Sequence, residues 1–257
     1  MKKDSRLGLE SYNNQGCLMK IIEYNNANDI FVEFQDNHKA IINTRYSHFA
    51  NGVIKNPYFP DVFGVGMLGS KYPAWENGKA TKEYATWKRI LQRCFDKNYQ
   101  EKQPTYKNAV CCEEWLLYDN FYEWLHKQKN FKKWLNNERW ALDKDILIKG
   151  NKVYSPETCC LVPQNVNSLF TKCNIARGDT FIGVHEQEGK FLALCNNPLI
   201  NKQEYLGSYS IQEQAFQIYK EHKENIIKQV AQIEFNANNI TKECYNAMIK
   251  YEVEITD

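Results

Sequence analysis

Long apolar runs are absent from this sequence of 257 residues. No segment approaches the roughly 20 consecutive apolar residues that span a bilayer, so we expect no transmembrane helix and no membrane partner. The N-terminus, MKKDSRLGLE, is basic but lacks the apolar stretch of a secretory signal, which favours a cytoplasmic protein. With 43% hydrophobic and 14% aromatic residues, the composition also excludes collagen, a coiled coil and intrinsic disorder as the main state. We therefore expect folded domains with substantial hydrophobic cores.

An excess of charge of one sign is absent too. Lysine and arginine number 33 and aspartate and glutamate 31, and this net charge of +2 does not by itself indicate a nucleic-acid partner. Residues 126–152 differ, because they hold eight lysines and arginines against three acids and include Trp134 and Trp140. Basic and aromatic side chains together suit phosphate contacts and base stacking. A solvated lysine surface has the same composition, so both interpretations stay open.

The paired-cysteine spacing of a zinc site is the third missing feature. The chain has nine cysteines but no C-x-x-C motif, the usual sequence mark of such a site. A zinc cofactor is therefore not expected, and the simplest interpretation is reduced thiols packed as small hydrophobic side chains. The alternative is that Cys94 and the cysteine pairs at 111–112 and 159–160 converge on a metal.

Hydrophobic patterning predicts an α+β fold in four parts. Residues 1–70 carry three short runs rich in β-branched and aromatic residues, separated by Asn- and Asp-rich breakers, and this pattern predicts a small β-rich module. Residues 71–175 begin with Trp-rich helices and continue as strand, loop, strand and short helix. Residues 176–230 contain three short strands, which we expect to form an antiparallel sheet, and a long amphipathic helix. Residues 231–257 form a C-terminal helix and tail.

Capping residues predict the starts of two helices. Thr81 precedes KEYATWKRILQRCF, in which Tyr84, Trp87, Leu91 and Cys94 form one apolar stripe. Ser210 and Glu213 have the spacing of a capping box and predict the start of the long C-terminal helix.

The segment LDKDILIKGNKVYSPETCCLVPQNVN carries the most chemistry. Asp143 and Asp145 end a predicted strand, and Asn165 and Asn167 open the helix after the second strand. Carboxylate and amide oxygens are ligands for a hard divalent cation, and a small ββα unit can hold such an ion against a phosphodiester. The sequence thus predicts a central ββα unit with a divalent-metal site.

This segment and the helices before it resemble HNH-type endonucleases of phages and mobile elements. The ordered motifs are YATW and QRCF, then VCCEEW and DNFYEW, then LDKD with GNKVYSPETC, spread over residues 84–167. The resemblance implies that Asp143 binds Mg²⁺ or Mn²⁺ together with Asn165 or Asn167. It also implies that Asn151 lies in the active-site loop.

One position departs from the family pattern. The histidine that normally follows the strand-end aspartate and acts as general base is Lys144 here. A lysine is protonated near neutral pH, so Lys144 is expected to contact phosphate, and Asp145 becomes the candidate base. Two functions stay open, a metal-dependent DNA hydrolase and a ββα scaffold that docks on DNA after losing cleavage.

The C-terminal part resembles the DNA-binding domain of the ethylene-response-factor type, through the motifs IGVHEQEGKFLALC and YLGSYSIQEQAFQIYKEHK. The resemblance implies a three-stranded sheet laid in the major groove of double-stranded DNA. The scarcity of arginine and the acids Glu186 and Glu188 depart from the family pattern. The candidate DNA contacts are Lys149, Lys152, Lys172, Arg177, His185, Gln187, Lys190 and Lys202, with Leu192 on the same sheet.

The sequence therefore predicts a double-stranded DNA-binding protein of phage or prophage origin that acts in the host-cell cytoplasm. It either cleaves DNA as an HNH-like endonuclease or binds it without cleavage as a regulator. The alternative from another class is a phage inhibitor that binds a host protein through the same surfaces.

Overall fold

The computed structural model describes residues 6–136, 139–171, 180–255 and 257. The chain divides into two compact units, Met1–Leu125 and His126–Asp257. Both units combine strands and helices, so the fold is α+β, as the sequence predicts. None of the described helices is long and apolar enough to cross a membrane.

The first unit begins with a four-stranded antiparallel sheet in which the strands follow one another in chain order. Its elements are β1 (Glu10–Tyr12), β2 (Leu18–Asn26), β3 (Asp29–Phe34), β4 (Ile41–Thr44) and the following helix α1 (Tyr46–Ala50). Alternate residues of β2 and β3, including Met19, Ile21, Ile30 and Val32, are fully buried in one core. Three of these strands match the predicted runs, whereas β1 is too short and polar to show a strand pattern.

Helices and short strands follow, and the last of these helices ends two residues past Leu125, the boundary of the first unit. They are β5 (Trp75–Glu76), β6 (Lys79–Ala80), α2 (Lys82–Phe95), α3 (Lys97–Lys102), β7 (Val110–Cys111) and α4 (Tyr118–Lys127), with 3-10 turns at Pro104–Tyr106 and Glu113–Leu116. Thr81 caps α2 as predicted, because its hydroxyl accepts a hydrogen bond from the amide of Tyr84. Of the predicted apolar stripe, Cys94 is only half-buried, and the other three residues lie on the buried face of this helix. Asn77 and Gly78 connect β5 to β6, both with positive φ, as a two-residue hairpin turn of the Asn-Gly type requires.

The second unit combines a hairpin, a three-stranded sheet and helices. Its elements are α5 (Phe131–Asn136), β8 (Trp140–Asp143), β9 (Val153–Tyr154), β10 (Cys160–Pro163), α6 (Gln164–Leu169), β11 (Val184–Gln187), β12 (Lys190–Asn197), β13 (Lys202–Tyr209), α7 (Gln212–Asn236) and α8 (Lys242–Ile249). β8 pairs antiparallel with β10, and α6 follows β10 directly, which is the predicted order of strand, loop, strand and short helix. β11, β12 and β13 form an antiparallel sheet in chain order, and α7 packs against all three strands, as predicted.

The start of α7 differs from the prediction. Its N-cap is Ile211, which makes no side-chain capping bond, so the predicted capping box of Ser210 and Glu213 is wrong. The helix also extends to Asn236, beyond the predicted end near Val230, and packs against α8 as well as the sheet. Tertiary packing rather than a local cap therefore stabilises this helix.

One hydrophobic cluster serves the whole second unit. It joins Val162 of the hairpin, Val166 of α6, Ala193 of the sheet, Val230 of α7 and Cys244 of α8. Each of these five side chains is fully buried. The hairpin and the sheet are therefore parts of one folded body, and the surfaces that they present are fixed by the same core.

Candidate nucleic-acid interface

Asp143 is the last residue of β8, and its carboxylate turns back on the chain. Its Oδ1 accepts hydrogen bonds from the backbone amides of Asp145 (2.8 Å) and Ile146 (2.9 Å), so the aspartate closes a turn at the strand end. Burial raises the pKa of Asp143 to about 6, and the nearby carboxylate of Asp145 adds to the increase. One oxygen of the predicted metal ligand is therefore committed to holding the loop.

Lys144 is buried, with 8% of its surface exposed. Its Nζ donates to the carbonyl of Asn151 (3.1 Å) and lies 3.2 Å from a carboxylate oxygen of Asp145. Asn151 donates in return to the carbonyls of Lys144 and Val153, both at 2.7 Å. The amine is directed into the loop, rather than toward a phosphate as expected, because a buried ammonium needs a partner charge and acceptors.

Asn165 belongs to a different polar network. Its side-chain amide donates to Oε1 of Glu234 at 2.6 Å, and the amide of Asn239 donates to Oε2 at 2.7 Å. Nζ of Lys133 donates to Oδ1 of Asn239, also at 2.7 Å. Glu234 is buried, and both of its oxygens are satisfied, so this network ties α5, α6 and α7 together.

Asp143 and Asn165 lie at opposite ends of the β8–β10 hairpin. Trp140 at the start of β8 pairs with Pro163, the residue before α6, whereas Asp143 is at the other end of the strand. Three strand residues span roughly 10 Å. Among the described residues, no hydrogen bond joins Asp143 to Asn165 or Asn167. The expected ligands Asp143 and Asn165 therefore do not fit one shared metal ion.

The cations predicted in the hairpin loop have different surroundings. Nζ of Lys149 lies 2.8 Å from the Asp257 carboxylate and 4.7 Å from the ring centre of Tyr251, so the C-terminal segment already neutralises it. Lys152 is exposed in the loop. Lys172 and Arg177 lie outside the described residues.

The exposed face of the three-stranded sheet carries three further candidates. Val184 is buried toward α7, so strand alternation sends His185 and Gln187 to the opposite face. There His185 pairs with Leu192 and Gln187 with Lys190. These residues lie together on one accessible surface, as the sequence predicts.

Lys202 lies on the other face, which corrects the expectation that it faces the duplex. It pairs with Asn197 and shares its alternation with Glu204, whose carboxylate lies 2.8 Å from Nε2 of His222 on α7. Glu186 also alternates toward the α7 side. This acid in β11 is therefore kept off the exposed face.

The exposed face is composed of neutral polar, basic and apolar side chains. Its residues are His185, Gln187, Lys190, Leu192, Leu194, Asn196, Gln203, Tyr205 and Ser208. None of the residues that the described strands place on this face is acidic, and Tyr205 is 62% exposed. The face thus presents hydrogen-bond donors, acceptors and apolar groups without a carboxylate to repel phosphate.

A groove of about 1040 Å³ opens at the Trp140 end of the hairpin. Its walls come from α5, β8, α6, α7 and the turn between β12 and β13. Lys132, Lys133 and Arg139 line it, and Nζ of Lys133 lies 5.9 Å from the ring centre of the half-buried Trp140. The basic, aromatic stretch of the sequence therefore contributes one wall of a groove.

The contribution of α7 to this region was not predicted. Glu234 lines the groove, and Lys223 lines an adjoining cavity of about 660 Å³. The sequence does contain a signal for Glu234, because it lies four residues after the buried Val230 and so puts a carboxylate on the apolar stripe of the helix. A charge on a buried stripe needs partners, and Asn165 and Asn239 are those partners.

Cysteines and acids do not assemble into a further centre. Within the part of the chain that the structure describes, no three His, Cys, Asp or Glu side chains are grouped to hold a metal ion. The described cysteines are free thiols, and burial raises the pKa of Cys159 to about 12, which keeps it protonated at neutral pH.

No family model matches this sequence, and comparisons with curated proteins and with solved structures give no match.

Proposed function

We propose that this protein binds double-stranded DNA through the exposed face of the β11–β13 sheet and does not cleave it. The supporting observation is that α7 covers one face of the sheet, while the other is accessible and free of acidic side chains. The major groove of DNA admits β-strands, whose side chains can reach base edges and phosphates.

The side chains on this face suit both kinds of contact. The amides of Gln187, Asn196 and Gln203 can donate and accept hydrogen bonds at base edges, and His185 and Lys190 can contact phosphate. The leucines are apolar groups of the kind that contact a thymine methyl group. Action in the host-cell cytoplasm and a phage or prophage origin are part of the same proposal, supported by the sequence resemblance.

The absence of cleavage is proposed from the chemistry of the hairpin. A hydrolase of the predicted kind needs a base near the attacking water and a metal beside the scissile phosphate. Lys144 is buried against Asp145, one oxygen of Asp143 holds a turn, and Asn165 is bonded to Glu234. The polar side chains of the hairpin thus have hydrogen-bond or ion-pair partners within the protein. This favours the hypothesis of a non-catalytic DNA-binding protein over that of an HNH-like endonuclease.

Band-shift titration of the full chain with short duplexes tests the binding. We expect log affinity to fall linearly and steeply with log salt concentration, since bound phosphates release counterions. Gln187→Glu puts a carboxylate on the exposed face and should weaken binding about tenfold. Gln229→Glu makes the same charge change at an exposed position of α7 and should have no effect. Equal losses from both variants, or the absence of any shift, would contradict the proposed face and favour a host-protein partner.

Incubation with supercoiled plasmid in Mg²⁺ or Mn²⁺ tests the second half of the proposal. We expect the plasmid to remain supercoiled. Nicking by the wild type that Asp143→Ala abolishes would show that the endonuclease reading is right and that the proposed lack of cleavage is wrong.

A further inference from the structure

We infer that the groove beside Trp140 is a second binding site, which takes a single nucleic-acid strand with its phosphates on lysines and an unpaired base on the indole. The groove lies at the opposite end of the hairpin from Asp143, and Asn165 is part of its lining. The adjoining cavity also shares residues with the three-stranded sheet. Four observations about the groove carry it.

The first observation is the charge of the groove. Lys132, Lys133 and Arg139 line it, and the carboxylate among its lining residues is Glu234. That carboxylate is buried, and both of its oxygens accept hydrogen bonds from asparagine amides. Neither oxygen is therefore available to form an ion pair with a basic side chain of the groove. The lining thus carries an excess of positive charge, although the whole chain has a net charge of only +2. Such a groove attracts a polyanion.

The second observation is that the groove and the adjoining cavity share part of their walls. Ser168, Pro198 and Asn201 line both. The cavity adds Lys202 and Lys223, and none of its lining residues is acidic. Cations therefore line both of these neighbouring spaces, and successive phosphates of one strand require cations spaced in this way.

The third observation is the state of Lys223. Among the described residues its amine makes no hydrogen bond and no ion pair, although the side chain is half-buried. Burial consequently lowers the pKa of Lys223. A phosphate in the cavity would supply the partner charge that this amine lacks.

The fourth observation distinguishes a strand from a duplex. Trp140 is half-buried in the groove wall, with Pro163 beside it. Stacking on an indole requires a base that is not already stacked and paired inside a helix. Bases in an intact duplex do not meet this requirement, whereas those of a displaced or unpaired strand do.

Fluorescence anisotropy with the full chain tests the inference. The probes are labelled oligothymidylate and oligouridylate of about 16 nucleotides, the upper end of the site size of many single-strand binders. A labelled duplex serves as comparator. Binding of either single strand supports the inference, and the ratio of the two affinities tells whether the 2′-hydroxyl matters. If neither strand binds at low salt, the inference is overturned.

Charge variants locate the site. Lys132→Gln with Lys133→Gln should reduce the slope of log affinity against log salt by roughly 1.4, at about 0.7 per cation removed. The matched control, Lys228→Gln with Lys250→Gln, removes the same charge from exposed positions that do not line the groove. It should leave the slope unchanged, and equal slopes for both double variants would overturn the inference.

Ring variants test stacking. Trp140→Ala should weaken strand binding roughly tenfold, and Trp140→Phe, which keeps an aromatic face, should recover most of the loss. Circular dichroism checks that both variants fold. Strand binding with no duplex binding would refute the proposed function of the sheet but leave the groove supported. Duplex binding without strand binding would refute the inference about the groove but leave the proposed function of the sheet supported.

Discussion

The two ends of the β8–β10 hairpin use their polar side chains in opposite ways. At the Asp143 end, Lys144 and Asn151 direct their hydrogen bonds into the loop and are satisfied there. At the Trp140 end, Lys133 also donates to Asn239, but Lys132 and Lys133 are both exposed and line a groove. The end that carries the family-like motif is closed, and the end without a motif is accessible to a ligand. A motif therefore identifies which polar residues are present, but not the direction in which the fold turns them.

The largest expected effect separates the lysines at the two ends. Lys144→Met should lower the free energy of unfolding by about 2–3 kcal/mol, because it leaves the half-buried Asp145 carboxylate and a loop carbonyl without a donor. Lys132→Met, at an exposed position, should change it by no more than about 0.5 kcal/mol. Urea unfolding monitored by tryptophan fluorescence measures both. Similar small losses would mean that the two ends do not differ.

A second, smaller effect tests the network at the groove. Asn165→Asp replaces an amide donor with a carboxylate facing Oε1 of Glu234, so the two acids must share a proton. Their pKa values rise in the folded state, and stability is therefore lost as pH increases. We expect a loss of about 2 kcal/mol at pH 7 that largely disappears below about pH 4.

The control for this change is Asn136→Asp, which adds the same charge at an exposed position of the groove wall. It should cost no more than about 0.5 kcal/mol and show no pH dependence in this range. Thermal melting across the pH series compares the two variants. A pH-independent loss in Asn165→Asp would contradict the observed pairing with Glu234.

The third effect is a gain in stability at the closed end. The folded-state pKa of Asp143 is about 6, above its unfolded value of 3.8, so wild-type stability falls as pH rises between these values. Asp143→Asn keeps the oxygen that accepts from the two backbone amides and removes the charge. The variant should be about 1 kcal/mol more stable than wild type at pH 7 and equal to it near pH 3. Chemical unfolding at both values decides this, and a destabilised variant at pH 7 would show that the charge itself supports the fold.

The smallest expected effect is that of divalent metal. Because Asp143 and Asn165 lie at opposite ends of the hairpin, millimolar Mg²⁺ or Mn²⁺ should leave the melting temperature unchanged. A metal-dependent increase in melting temperature that Asp143→Asn removes would show that the Asp143 end of the hairpin opens to hold an ion. The conclusion that this end is closed to ligands would then be wrong.

Much of the fold follows from local patterns, and these patterns account for what could be predicted. Alternating runs predict β2, β3 and β11–β13, because one buried face imposes a period of two. Thr81 predicts the start of α2 for a local reason, because its hydroxyl accepts a hydrogen bond from the backbone amide three residues later. The start of α7 fails for the opposite reason, since packing and not Ser210 determines where that helix begins.

The candidate site was less predictable than the fold. The residue types around Asp143 are those of a metal site, but whether Lys144 faces a ligand or the loop depends on Asn151, seven residues away, and on burial. Asn165 and Glu234 are 69 residues apart in the chain, and no local pattern predicts that they meet. Long-range pairs of this kind are set by the tertiary fold.

The single core of the second unit has a consequence for anyone who wishes to transplant its sheet. The buried side of the sheet rests on the same cluster that includes Val162 and Val166, more than ten residues before β11 begins. A fragment starting at residue 180 would lack those partners and leave apolar surface of α7 in contact with water, at a cost that favours aggregation. The sheet and its helix are therefore not an independently folding fragment, and a chimaeric protein that contains them must also include the hairpin.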